Sequence, residues 1–231
     1  MVYNVRVKVI RPLMRVWING LEGTYKTSLA MYIYFKIFAK RNYELVYAPP
    51  SASIYDVEEH LKQVRSDAVY IVFDDLTYKY HSLSTEFREF ASKMMTIRHW
   101  APQRDFVIVY ISHYSRSVPP ALRQAHVIAF TSLTTLEEYS IAKSYFKHEY
   151  LDFFFSVYPR RRLILINWFG RSFLMTPPPH IKPPREKTVR EKTKEMKEIM
   201  EELRERLRKK IEEESELFKR FGFDFHSRFY S

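Results

Sequence analysis

Short runs of apolar residues alternate along this chain with stretches in which apolar residues recur every three or four positions. The first pattern predicts buried strands and the second amphipathic helices. Leu13 to Asn19 reads as a buried strand stopped by Gly20. A helix is expected from Lys26 to Lys40, then a strand over Tyr43 to Ala48, halted by Pro49-Pro50. Ile54, Val57, Leu61 and Val64 fall on one helical face. Ala68 to Phe73 is an apolar strand that ends in Asp74-Asp75. A helix is predicted from Ser84 to Trp100, with Ser84 or Thr85 as its N-cap. Asp105 to Ile111 is a further buried strand, ending in Ser112-His113. A short helix around Pro119 to Arg123 leads into the strand His126 to Phe130, and Thr135 to Phe146 reads as helical.

Strands buried on both faces and alternating with helices predict an α/β fold, a three-layer sandwich around a mainly parallel sheet. Two elements stand apart. Met1 to Lys8 alternates as a short β segment does, and this leaves no signal peptide in view. Arg161 to Asn167 and Arg171 to Met175 flank Trp168-Phe169-Gly170 as a terminal β-hairpin, with Gly170 where positive φ is needed.

After residue 175 the composition changes. Residues 176–184 are a stiff proline-rich linker. From Arg185 to about Arg220 the chain is charged and helical, with a narrow stripe of Met196, Met200, Leu203, Leu207, Ile211 and Phe218. That stripe suits a coiled-coil seam or a helix docked on a protein partner, and equally a solvated helix packed on its own core. An aromatic tail, Phe221 to Tyr230, follows. The organisation expected is therefore an α/β domain over 1–175, a linker, and a helical C-terminal segment over 185–231.

Composition narrows the chemistry. The 231 residues include no cysteine, which excludes disulfides and thiolate metal sites and fits a cytoplasmic protein. The formal net charge of +11 favours a polyanionic partner, with nucleic acid ahead of an anionic membrane. No apolar run is long enough to span a bilayer.

The candidate site begins where the first strand ends, at Gly20-Leu21-Glu22-Gly23-Thr24-Tyr25-Lys26-Thr27-Ser28. This nearly fits G-x-x-x-x-G-K-[ST], in which successive backbone N–H groups at a helix N-terminus cradle phosphates. Two of the chain's 4 glycines lie in this one turn. Lys26 would reach the β- and γ-phosphates of ATP, and the Thr27 hydroxyl would bind Mg²⁺. Tyr25 stands where the motif has its second glycine. The expectation is that it sits at the helical start of the loop with negative φ, its side chain turned from the phosphates. Asp74 would hold Mg²⁺ through water, and Asp75 would orient or deprotonate the attacking water. Like charges repel, so two adjacent carboxylates closing a buried strand have little structural reason to exist without a cation. Ser112 or His113, tipping the next strand, would sense the γ-phosphate. All three strand tips fall at one edge of the sheet, where ligands bind.

With these residues the sequence resembles the P-loop ATPases in which an extra strand separates the loop strand from the carboxylate-tipped one. Ile97-Arg98-His99-Trp100, Ser112-His113 and Val118-Pro119-Pro120-Ala121-Leu122-Arg123-Gln124 are similar to motifs of the FtsK–HerA group, closest in style to viral genome-packaging ATPases. The resemblance covers about residues 10–175. It implies ATP hydrolysis, a homo-oligomeric ring with nucleotide at the subunit interfaces, and double-stranded DNA through the centre. It also implies an arginine acting in trans, with Arg98 and Arg123 the candidates. Arg104, Arg116 and Arg160 to Arg162 are candidate contacts to the DNA backbone. Tyr25 departs from the pattern, and so does Asp75, where many relatives carry Glu. Other readings stand beside the motor: an AAA-like replication initiator or loader, an ATP-binding assembly protein with weak hydrolysis, and a small-molecule kinase.

Overall fold

The computed structural model describes residues 13–76, 84–97 and 104–183. The expected N-terminal β segment, the C-terminal helix and the aromatic tail lie outside these residues, as do Arg98 and the end of its helix.

The apolar runs become the strands of one seven-stranded sheet. In chain order they are β1 (Leu13–Asn19), β2 (Glu44–Ala48), β3 (Ala68–Phe73), β4 (Asp105–Ser112), β5 (Val127–Phe130), β6 (Ile164–Trp168) and β7 (Arg171–Met175). Their spatial order is β2-β3-β4-β1-β5-β6-β7. The first five strands are mutually parallel, and β6 and β7 close the sheet as antiparallel strands. Thus β4 is inserted between β1 and β3, the extra-strand order expected. In register, Asn19 lies beside Ser112 on one side and Phe130 on the other.

The helices among the described residues are α1 (Lys26–Ile33), α2 (Ile54–Gln63), α3 (Thr85–Met95), α4 (Pro120–Arg123), α5 (Leu136–Ala142) and α6 (His148–Val157). Alternation along each strand sends neighbouring side chains to opposite faces. Val16, Ile18, Val109 and Ile111 therefore pack with Leu29 and Met31 of α1. Trp17, Tyr110 and Phe130 pack on the other face with Phe87 and Phe90 of α3 and Phe154 of α6. Trp17 is fully buried and meets Phe130 edge-on, at 5.5 Å between ring centres. Truncating such a side chain to alanine typically removes ~3–5 kcal/mol.

Some boundaries differ from expectation. The helix begun by α1 does not run on to Lys40 in one form; it becomes a π-helix over Tyr34–Phe38 and a 3-10 turn over Ala39–Arg41. The chain turns out of it at Asn42, whose φ of 58° asparagine tolerates well. α5 ends at Ala142, short of Phe146, and α6 was not anticipated. In the β6–β7 hairpin both Phe169 and Gly170 have positive φ, 48° and 84°, as a two-residue primed turn demands. Residues 176–183 do not leave the domain directly. Ile181 packs on the α1 face of the core, and its N–H donates to the Ser28 hydroxyl at 3.2 Å.

Candidate nucleotide site

The site forms at the carboxyl edge of β1, β3 and β4. The loop leaving β1 is fixed from below. Gly20 N–H donates to Ser112 O at 3.1 Å, and Leu21 N–H to the Ser132 hydroxyl at 2.7 Å. The Thr24 hydroxyl lies 2.6 Å from both Leu21 O and Thr131 Oγ1. A Cβ on Gly20 would come within 2.0 Å of Thr131 Oγ1, so only glycine permits this approach. Thr131 and Ser132, just past β5, thus clamp the loop. Hydroxyl residues after a strand look like ordinary turn residues, and nothing in the local pattern marked them.

Tyr25 has φ 68° and ψ 15°, left-handed backbone. This corrects the expectation of a negative φ. The turn imposes at that point the conformation glycine usually supplies, and tyrosine adopts it at ~1–2 kcal/mol. Its phenol accepts a hydrogen bond from Arg162 Nη1 at 2.9 Å, across 137 residues of sequence.

Lys26 opens α1 and is only 6% exposed. Its ammonium donates to Leu21 O at 2.5 Å. Burial draws its pKa from 10.5 down to about 8, against the pull of the Asp74, Asp75 and Glu22 carboxylates. The Thr27 hydroxyl donates to Asp74 Oδ2 at 2.9 Å, and the Tyr47 phenol donates to the same oxygen at 2.5 Å. Asp75 has φ 48°, and its Oδ2 lies 3.1 Å from His113 Nε2. The strand order therefore brings Lys26 and Thr27 together with Asp74, Asp75 and His113. They line a cavity of about 500 Å³ with Glu22 through Tyr25 and Ser28 of the loop. Tyr47, Pro50, His180, Ile181 and Pro183 complete its wall.

Other expected residues fall elsewhere. Gly20 and Leu21 do not line the cavity. Ser112 is fully buried and does not line the cavity; it accepts from Trp17 Nε1 and donates to Asn19 Oδ1, both at 2.9 Å. Arg123 is also away from its own chain's cavity, donating to Val118 O at 2.7 Å and Arg116 O at 3.0 Å. Arg104 donates to Leu61 O and Val64 O at the end of α2. Arg116 is exposed and pairs with Glu137 at 3.0 Å.

A mainly parallel sheet of this order, with a glycine-bearing strand-to-helix turn after β1 and a carboxylate at the tip of β3, has the fold of the P-loop NTPases. Neither a family model nor a curated protein matches the sequence. Solved structures do match the fold. The genome-packaging NTPase B204 of Sulfolobus turreted icosahedral virus 2, in complex with sulfate, aligns at a TM-score of 0.52 and 12% identity, over 75% of this chain and 100% of that one. The same NTPase in complex with AMP aligns at 0.51 and 12% identity, over 74% and 100%. Its complex with AMPPCP aligns at 0.50 and 13% identity, over 73% and 100%. Among the described residues, no helix is long and apolar enough to cross a membrane.

Proposed function

We propose that this protein is an ATP-hydrolysing motor that moves double-stranded DNA, of the kind that packages genomes. The observation that carries the reading is the Thr27–Asp74 hydrogen bond beside Lys26, with Asp75 and His113 on the same cavity wall. A hydroxyl and a carboxylate in contact form the hard-oxygen donor pair that Mg²⁺ takes, with its remaining positions filled by waters and phosphates. Bound there, Mg²⁺ would neutralise charge on the β- and γ-phosphates. Lys26 moves from Leu21 O to the phosphates, the loop N–H groups hold them, and Asp75 orients the attacking water. Arg123 of a neighbouring subunit then stabilises the transferring phosphoryl group in a ring. The net charge of +11 and the fold shared with a genome-packaging NTPase support DNA as the partner.

A second reading is an ATP-binding assembly protein that hydrolyses weakly. It is favoured by the left-handed Asp75, whose Oδ2 is already engaged 3.1 Å from His113 Nε2.

An ATPase assay with and without linear duplex DNA separates the two. The motor shows turnover that duplex DNA stimulates, with the stimulation falling as salt rises, because phosphate contacts release counterions. Lys26→Ala lowers turnover by about 10²-fold or more. Turnover that ignores DNA at low salt removes the motor reading, and an unchanged Lys26→Ala variant removes both.

A further inference from the structure

The phosphate end of the cavity is charged and polar, whereas its other wall is of a different character. That wall comes from His180, Ile181 and Pro183, downstream of β7, and from Pro50 just past β2. After the hairpin the chain crosses back to α1 and is pinned there twice. The Ile181 side chain joins the apolar cluster under α1, and its N–H donates to Ser28 Oγ at 3.2 Å. Ser28 directly follows Thr27, so the strap meets α1 one residue beyond the expected metal ligand. Pinning Ile181 places His180 and Pro183 on the cavity wall.

We propose that this strap is the nucleobase subsite, with His180 as the stacking residue and Ile181 as the residue that positions the strap. The proposal rests on reading the cavity as a nucleoside triphosphate site. An imidazole and two prolyl rings give flat surface and an isoleucine adds apolar surface, which suits a heterocyclic base. The cavity of about 500 Å³ is within the size range of small-ligand pockets. A group extending from phosphates at Lys26 and Thr27 along the first turn of α1 meets the strap next.

The test is calorimetric titration of the full chain with Mg-ATP and, separately, with inorganic tripolyphosphate, which carries the phosphates without the base. His180→Ala weakens ATP binding about tenfold, as loss of one base-stacking partner does, and leaves tripolyphosphate binding unchanged. His180→Phe, which keeps a flat ring, restores ATP binding. Ile181→Ala, which loosens the strap from α1, shows the same selective loss. Equal loss of both ligands in His180→Ala, or no loss of ATP, overturns the subsite while leaving the phosphate site standing. If the wild-type chain binds neither ligand, the cavity reading falls and the subsite with it.

Discussion

At the scale of single residues, the site is shaped by a tyrosine in a glycine's conformation and a lysine short of water. Tyr25 holds φ 68° with its phenol on Arg162. Glycine adopts that backbone freely, so Tyr25→Gly is expected to leave nucleotide affinity within about threefold of wild type. Tyr25→Val places a β-branched residue where it is a genuine outlier and lowers stability by ~1–2 kcal/mol or more, read as a drop in Tm. A Tyr25→Gly variant that no longer binds nucleotide would show that the phenol, not the backbone turn, is what the loop needs. Lys26 makes a pH prediction. Its pKa is about 8, and a triphosphate beside it raises that value. Below pH 8 the lysine is charged both free and bound, and affinity is flat with respect to this group. Above pH 8 the free lysine is neutral, so binding must take up a proton. Affinity then falls, by up to about tenfold per pH unit, until the pKa of the bound state is reached. Titrations at pH 7 and pH 9 in buffers of different ionisation enthalpy measure both the fall and the proton uptake.

At the scale of elements, what was legible was whatever is written in a local window. Apolar runs marked the seven strands to within a few residues, and Asp74-Asp75 stood out because two acids end an otherwise apolar strand. Helix α6 was missed because Phe153-Phe154-Phe155 breaks the three-to-four spacing that reveals a buried face. The left-handed Tyr25 was misjudged because tyrosine itself seldom takes positive φ, although the glycine of the motif at that place marked the angle; the fold around it imposes it. Tyr47, Thr131, Ser132 and the strap were invisible for another reason. Each reaches the site across a long separation, as in the Ile181–Ser28 contact over 153 residues. Tyr47 looked like one more apolar strand residue, yet β2 lies beside β3 and its phenol donates to Asp74 Oδ2. That contact orients the carboxylate expected to serve the metal. Tyr47→Phe should therefore weaken nucleotide binding about tenfold in Mg²⁺, the usual scale for loss of a residue supporting a metal ligand. Binding in EDTA should stay as in wild type. Equal weakening in both conditions would make Tyr47 a packing residue of β2 alone.

At the scale of the whole molecule, the cavity sets the Lys26 ammonium against the Glu22, Asp74 and Asp75 carboxylates. Lys26 would face the phosphates from the loop, but Arg123 lies away from its own chain's cavity, held by Val118 O and Arg116 O. In a ring, each subunit would present Arg123 to the next subunit's nucleotide, completing a site that one chain leaves open. Two roles for this arginine make different predictions. If it only braces residues 116–118, Arg123→Ala disturbs the chain that carries it and nothing else. If it acts in trans, Arg123→Ala retains nucleotide binding while losing turnover by about 10³-fold. Mixing provides the decisive comparison. Lys26→Ala chains lack a working loop but carry Arg123, and Arg123→Ala chains carry the loop. Each variant alone is expected to be inactive. Assembled together, an Arg123→Ala chain whose neighbour is Lys26→Ala receives that neighbour's arginine at an intact nucleotide site. Turnover should then return in the mixture under conditions that let subunits exchange, and it should vanish again on dilution below the assembly concentration. If the mixture stays as inactive as its parts while native mass measurement shows mixed rings, Arg123 serves only its own chain.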